Sequence, residues 1–317
     1  VAYAGKSDTT SARKFYQEAL NQNPTYMPAA LNLALLEIRQ NRPEVAQKLF
    51  ESILDKQPEN LQAMIGLAGV AQATGKSDLY VQWLNKAAKL HPESIRPHQL
   101  LTTYYLGVGK KDKALDTASK AKSLQPNDPG RLLLLAQTQL ALGEFSSAVS
   151  NYTRLTTLRP ADPMGYFALA NAHMGANNPK AARVALERAL ILKPDWVDAE
   201  AAMVAVSVAE GKNNDALQLA LRLQQKHPKS SSGYTLAGDL LMAKGNPHEA
   251  AAHYKKSYQL AKNGFVAISW AKALRSEGKR SDTYLPLTDW LKIKPGDDSV
   301  PLFYATVLRN DGKLPDA

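Results

Sequence analysis

The sequence predicts an all-α solenoid built from antiparallel helix pairs. Three observations carry this: a proline series, small residues in phase with it, and helical spacing of apolar side chains between them. Pro24, Pro58, Pro92, Pro126, Pro160, Pro194 and Pro228 follow one another at intervals of 34 residues. Pro295 falls one residue short of a later term of the same series. A fixed period of this size is the signature of stacked structural repeats.

Each part of the period has a physical reading. Twelve residues before each proline stand Ala12, Ala46, Tyr80, Ala114, Ala148, Ala182 and Ala216, and Ala250 keeps the phase before Lys262. Five residues before it stand Ala19, Ile53, Ala87, Ala121, Leu155, Ala189 and Leu223. Small side chains there let two helices approach closely. Gly75, Gly109, Gly143, Gly211 and Gly245 recur in phase and predict a left-handed residue ending the first helix. The proline then ends the second helix, because it cannot continue the backbone ladder. Between these marks Leu31, Leu35 and Ile38 have the spacing of one helix face, so each unit reads as two helices of about a dozen residues.

This pattern resembles the tetratricopeptide repeat (TPR), on Leu33-Ala34, Ala46, Phe50, Ile53 and Pro58 in one unit and Ala237-Gly238, Ala250 and Tyr254 in another. The units read as 27–60, 61–94, 95–128, 129–162, 163–196, 197–230, 231–263 and 264–297, with partial repeats over 1–26 and 298–317. The whole chain is expected to be one TPR array, a fragment of a longer protein cut inside a repeat at each end. The resemblance implies a TPR α-solenoid, a right-handed superhelix whose concave groove is lined by the first helix of every unit. Such folds hold partners, and the fold alone does not name the partner.

The groove positions supply the candidate contacts: Asn32, Arg39, Gln137, Phe167, Asn171, Met174, Asp239, Met242, Lys272, Arg275 and Arg309. The central part of the expected groove is apolar and small, and its C-terminal part turns cationic. A peptide or protein segment suits an apolar groove with a polar rim. Half of these apolar side chains can equally serve packing between repeats. A chaperone-type clamp for a C-terminal carboxylate is not expected, since Leu31 and Phe167 occupy the positions its lysines need beside Asn32 and Asn171.

Composition excludes other functions. The 317 residues contain no cysteine, which removes disulfides, thiolate metal sites and cysteine nucleophiles. No apolar stretch approaches the roughly 20 residues of a membrane helix. Lys and Arg number 39 against 29 Asp and Glu, a net charge of +10. Residues 1–162 and 163–317 each carry a net +5, so the charge is spread and argues against a nucleic-acid partner. The densest cluster, Lys110, Lys111 and Lys113, is interrupted by Asp112. Thr74-Gly75-Lys76-Ser77 resembles the end of a phosphate loop, but the leading glycine position is Val70. His91 and His227 precede repeat-ending prolines, and His248 and His253 are spaced off any shared helix face. No catalytic residue, metal ligand or cofactor is assigned.

A narrower resemblance rests on Trp83-Leu84, Leu100-Leu101 with Tyr104-Tyr105-Leu106, Leu223-Gln224-Gln225-Lys226-His227-Pro228 with Gly233-Tyr234, Gly238-Asp239, and Trp290-Leu291. These segments resemble the TPR-repeat lipoproteins of the PEP-CTERM/exosortase system. The resemblance implies a non-enzymatic scaffold in exopolysaccharide export or surface-protein sorting. It implies a periplasmic location and an N-terminal lipid anchor outside this fragment as the sole membrane link; a cytoplasmic location is the alternative. Direct binding of an anionic exopolysaccharide by the basic surface is the alternative function.

Overall fold

The computed structural model describes residues 9–23 and 26–313. Pro24 of the proline series, the opening residues and Ala317 lie outside them. Among the described residues the regular structure is entirely α-helical. The chain divides into two compact units, Val1–Asn151 and Tyr152–Ala317.

The first unit contains α1 (Thr9–Gln22), α2 (Met27–Arg39), α3 (Pro43–Lys56), α4 (Leu61–Ala73), α5 (Ser77–Leu90), α6 (Arg96–Gly107), α7 (Lys111–Leu124) and α8 (Pro129–Leu142). The division falls within α9 (Phe145–Leu158). The second unit contains α10 (Pro163–Gly175), α11 (Pro179–Leu192), α12 (Val197–Ala209), α13 (Asn213–Lys226), α14 (Ser232–Ala243), α15 (Pro247–Leu260), α16 (Gly264–Ser276), α17 (Tyr284–Ile293) and α18 (Ser299–Asn310). In each unit, helices that follow one another in the chain pack together, and short turns make them antiparallel pairs.

Local chemistry sets the starts and stops. Asn60 and Asp128 cap α4 and α8, accepting from the Ala63 and Arg131 backbone N–H at 2.9 and 2.8 Å. Asn263 does the same for α16 at 2.9 Å. The first helices end in left-handed turns. Positive φ occurs at Gly75, Gly109, Gly143, Gly211, Gly245, Gly278 and Gly312, and also at Asn41 and Asn177. The two asparagines fill the terms that glycine leaves vacant, since Asn tolerates this conformation better than other side-chain-bearing residues. The step from Gly245 to Gly278 is one residue short, which accounts for the displaced Pro295.

The second helices stop two residues ahead of the proline rather than at it. Each final position has left the helical region: His91, Gln125, Lys193 and His227 have φ between −124 and −142° with positive ψ. A following proline favours this by crowding the residue before it out of the helical region. Ala261 also leaves the helical region, at φ −146°, although Lys262 and not proline follows it.

The alanine series marks the helix contacts. Ala46, Ala114, Ala148, Ala182, Ala216 and Ala250 have no exposed surface. Within the first unit, Ala30, Ala34, Phe50, Ile53, Ala63, Leu67 and Val70 form one core cluster. Within the second, Tyr254, Tyr258, Val266, Ala267, Leu287, Trp290 and Val300 belong to another. Such short-range packing between neighbouring helices stabilises a repeat array.

Candidate binding groove

In the first unit a cleft of about 530 Å³ lies between α2 and α4. It is lined by Pro28, Leu31, Asn32, Leu35 and Ile38 from α2, and by Gln62, Ile65, Gly66 and Gly69 from α4. All nine are first-helix positions that the repeat register places on the groove side. The volume lies within the roughly 300–1,000 Å³ of typical ligand clefts. Leu35 is 49% exposed, between the buried Ala34 and Leu36.

Phe50 of α3 also lines this cleft, and the repeat register assigned it to packing alone. Its ring lies against the α4 backbone, where a Cβ on Gly66 would fall far inside van der Waals contact with the ring carbons. A side chain of any size at 66 would therefore displace the ring from the groove floor. Gly69, one turn on, faces open space. The signal for Phe50 was present in the sequence as an aromatic in α3 followed by a glycine in α4, but spacing alone did not pair them.

The polar candidates of this unit differ in how committed they are. The Asn32 side-chain amide donates to the Pro28 carbonyl at 2.7 Å, within its own helix. Arg39 and Gln137 are exposed on α2 and α8.

In the second unit Phe167 of α10 packs its ring 4.7 Å from that of Trp196, the residue that precedes α12. Asn171 is exposed and Met174 is half-buried on the same helix. Met242 is half-buried against the core cluster of this unit. Met164, Phe265 and Leu302 leave much of their apolar surface exposed on α10, α16 and α18.

The expected cationic end proves partly neutralised. Arg275 makes two hydrogen bonds to Asp311, at 3.0 and 2.7 Å, and Tyr284 donates to the same carboxylate. The Arg275 guanidinium and the Tyr284 hydroxyl hold the Asp311 carboxyl well below the usual carboxylate range. Lys272 is exposed, 5.5 Å above the Phe303 ring, and Arg309 is exposed on α18.

A second type of cleft lies between consecutive second helices. One is lined by Leu20 and Leu49, another by Ala88 and Thr117, a third by Leu190 and Leu219. These pairs are separated by whole multiples of the period. Their chemistry differs: the second also has His98, Lys113, Asp116 and Lys120. Burial, with the nearby Arg131 charge, lowers the His98 pKa.

Three of the histidines serve contacts between neighbouring repeats. His91 Nε2 meets the Glu59 carbonyl at 2.5 Å, His227 Nε2 meets Glu200 at 3.0 Å, and His248 Nδ1 meets Glu277 at 2.7 Å. Among the described residues no group of three or more His, Asp or Glu is placed to hold a metal ion. Nor is any described helix long and apolar enough to cross a membrane.

A family model, described as the tetratricopeptide repeat, matches residues 31–95, 133–199 and 207–264. A TPR protein from Parabacteroides merdae is 14% identical, with a TM-score of 0.55 over 82% of this chain and 98% of that one. A chain of the Cut9–Hcn1 hetero-tetramer of the APC/C is 18% identical, with a TM-score of 0.50 over 97% of this chain and 61% of that one. YrrB, described as a TPR protein with an unusual peptide-binding site, is 17% identical, with a TM-score of 0.44 over 62% of this chain and 97% of that one. At these identities the likeness concerns the fold. No curated protein matches the chain.

Proposed function

The chain belongs to the tetratricopeptide repeat family, and from that premise we propose that it is a non-enzymatic scaffold holding a peptide or protein segment against its first helices. The observation that carries this is the α2–α4 cleft. Its apolar lining is Leu31, Leu35, Ile38, Ile65 and Phe50, joined by Asn32 and Gln62. An apolar, preformed groove gains by removing a partner's apolar side chains from water, at roughly 25 cal/mol per Å². Gly69 leaves space for a partner backbone to come close.

Panning a displayed random peptide library on the immobilised chain tests this. The chain is expected to enrich apolar peptides, and Leu35→Glu is expected to lose them while keeping its helical circular dichroism. Equal enrichment by both proteins, or none by either, overturns the reading.

The finer proposal is that the scaffold serves exopolysaccharide export or surface-protein sorting, in the periplasm, tethered by an N-terminal lipid. Its support is the likeness of the Trp83-Leu84, Leu223–Pro228 and Trp290-Leu291 segments to the PEP-CTERM/exosortase lipoproteins. Cell fractionation decides it: recovery with soluble cytosolic proteins alone overturns the compartment.

A second reading is direct contact with an anionic polysaccharide. It is favoured by a cleft of about 260 Å³ lined by Trp270 and Lys255, together with the Lys279–Glu277 ion pair and Asp282. Flat rings beside cations suit a charged sugar. Titration with polygalacturonate at low and high salt is expected to show salt-sensitive binding that Trp270→Ala weakens. No binding at low salt removes this reading.

A further inference from the structure

We propose that the first helices of the second unit read charge in a bound peptide, with Asp239 receiving a basic side chain and Lys272, one repeat later, receiving an acidic one. This rests on the scaffold reading above and specifies its partner: a peptide carrying both signs of charge.

Asp239 sits in a built arrangement. Tyr254 is 3% exposed, and its ring is pressed against α14 where a Cβ on Gly238 would come within 2.7 Å. That close approach brings the hydroxyl to Asp239 Oδ1, to which it donates at 2.6 Å. A carboxylate can accept about four hydrogen bonds, so one neutral donor leaves most of its capacity open.

No cation answers Asp239. Four other acids of this unit contrast with it: Glu210, Glu277, Asp289 and Asp311 each have a Lys or Arg nitrogen at 2.7–2.8 Å. Among the described residues no Lys, Arg or His nitrogen lies within 4.0 Å of Asp239. The residue is exposed, yet the protein packed around its carboxyl raises it above the usual range, against the pull of the Tyr254 hydroxyl. A partly dehydrated carboxylate without a counter-ion gains more from an arriving cation than a fully solvated one does.

Lys272 is the matching residue on α16. It follows Asp239 by 33 residues, the same step that separates Gly245 from Gly278. The Phe303 ring lies 5.5 Å below its ammonium, and no described carboxylate pairs with it. Arg275, one turn on, already answers Asp311 and so does not compete for a ligand acid. Apolar Met242 and Ile268 pack against the core beside these two charges, on α14 and α16. The occupant is therefore a segment with a basic and an acidic residue flanking apolar ones.

The test pans one random peptide library on the full chain, on Asp239→Lys, on Lys272→Glu and on Glu187→Lys as an exposed control on α11. The unaltered chain is expected to enrich peptides with both charges. Asp239→Lys is expected to replace basic residues by acidic ones, Lys272→Glu to do the reverse, and Glu187→Lys to change neither. Asp239→Asn, which keeps an acceptor for Tyr254, is expected to bind a selected peptide about tenfold more weakly with an unchanged melting temperature. Enrichment with the same charge content in every variant, or binding by Asp239→Asn within twofold of the unaltered chain, overturns this proposal and leaves the groove reading standing. Failure of all versions to enrich any peptide overturns both.

Discussion

The Arg131 guanidinium, 1% exposed, donates to the Pro92 carbonyl at 2.5 Å across 39 residues of chain. Its other terminal nitrogen donates to the Ala121 carbonyl at 2.9 Å. Both acceptors lie at or beyond the ends of second helices, where carbonyls lack helical partners and carry partial negative charge. One side chain of α8 thus joins the turn after α5 to the last turns of α7. Arg131→Ala removes donors from both carbonyls and leaves a void. The expected loss is about 3 kcal/mol in urea unfolding. A change within about 0.5 kcal/mol, typical of surface sites, counts against this role.

The glycines of α4 should respond in opposite directions. Gly66→Ala forces its Cβ into the space of the Phe50 ring. Overpacking of this kind costs about 1–3 kcal/mol. Gly69→Ala meets nothing and gains helix propensity, up to about 1 kcal/mol. Combining Gly66→Ala with Phe50→Leu is expected to cost less than the two separate effects added. Thermal melts of the four variants check the set; equal effects at 66 and 69 contradict it.

The two left-handed asparagines offer a backbone test. Asn177 has φ 55° where other repeats have glycine. Asn177→Gly is expected to hold or raise stability by a few tenths of a kcal/mol, and Asn177→Ala to lower it by about 1 kcal/mol. Gly143→Ala, at φ 81°, is expected to cost about 1–2 kcal/mol. Melting temperatures that rise with alanine at either site refute the assignment.

Acid should loosen the second unit through Glu210. Hydrogen bonds from Arg183 and then Lys212 hold its carboxyl down from 4.5 to about 2. The folded value lies below the unfolded one, so the stabilisation is full above pH 4.5 and fades as pH falls towards 2. Glu210→Gln is expected to melt below the unaltered chain at pH 7, with the gap closing on acidification. A gap that widens towards pH 3 reverses the sign and refutes the role.

Much of the architecture was legible in residue spacing, and the glycine series was readable even where it broke. Asn41 and Asn177 stand at the vacant terms of that series, and the structure gives both a left-handed backbone. The alanine terms were likewise readable, because a helix contact that admits only a methyl group leaves that methyl buried. Helical periodicity puts Leu31, Leu35 and Ile38 on one side of α2, and these three line the cleft against α4.

Partnerships across a repeat were not readable. Arg275 stood in the sequence as a groove cation, and its bond to Asp311, 36 residues on, depends on how α16 and the end of α18 pack. Phe50 reaches the groove floor because Gly66 of the next helix clears its path. Tyr254 reaches Asp239 for the same kind of reason at Gly238. The amino-acid sequence determined the period, the helix ends and the buried methyl contacts, because these follow from backbone sterics within a few residues. Tertiary structure decided which charges are answered and which ring lines the cleft, because those depend on side chains from different helices meeting in one place.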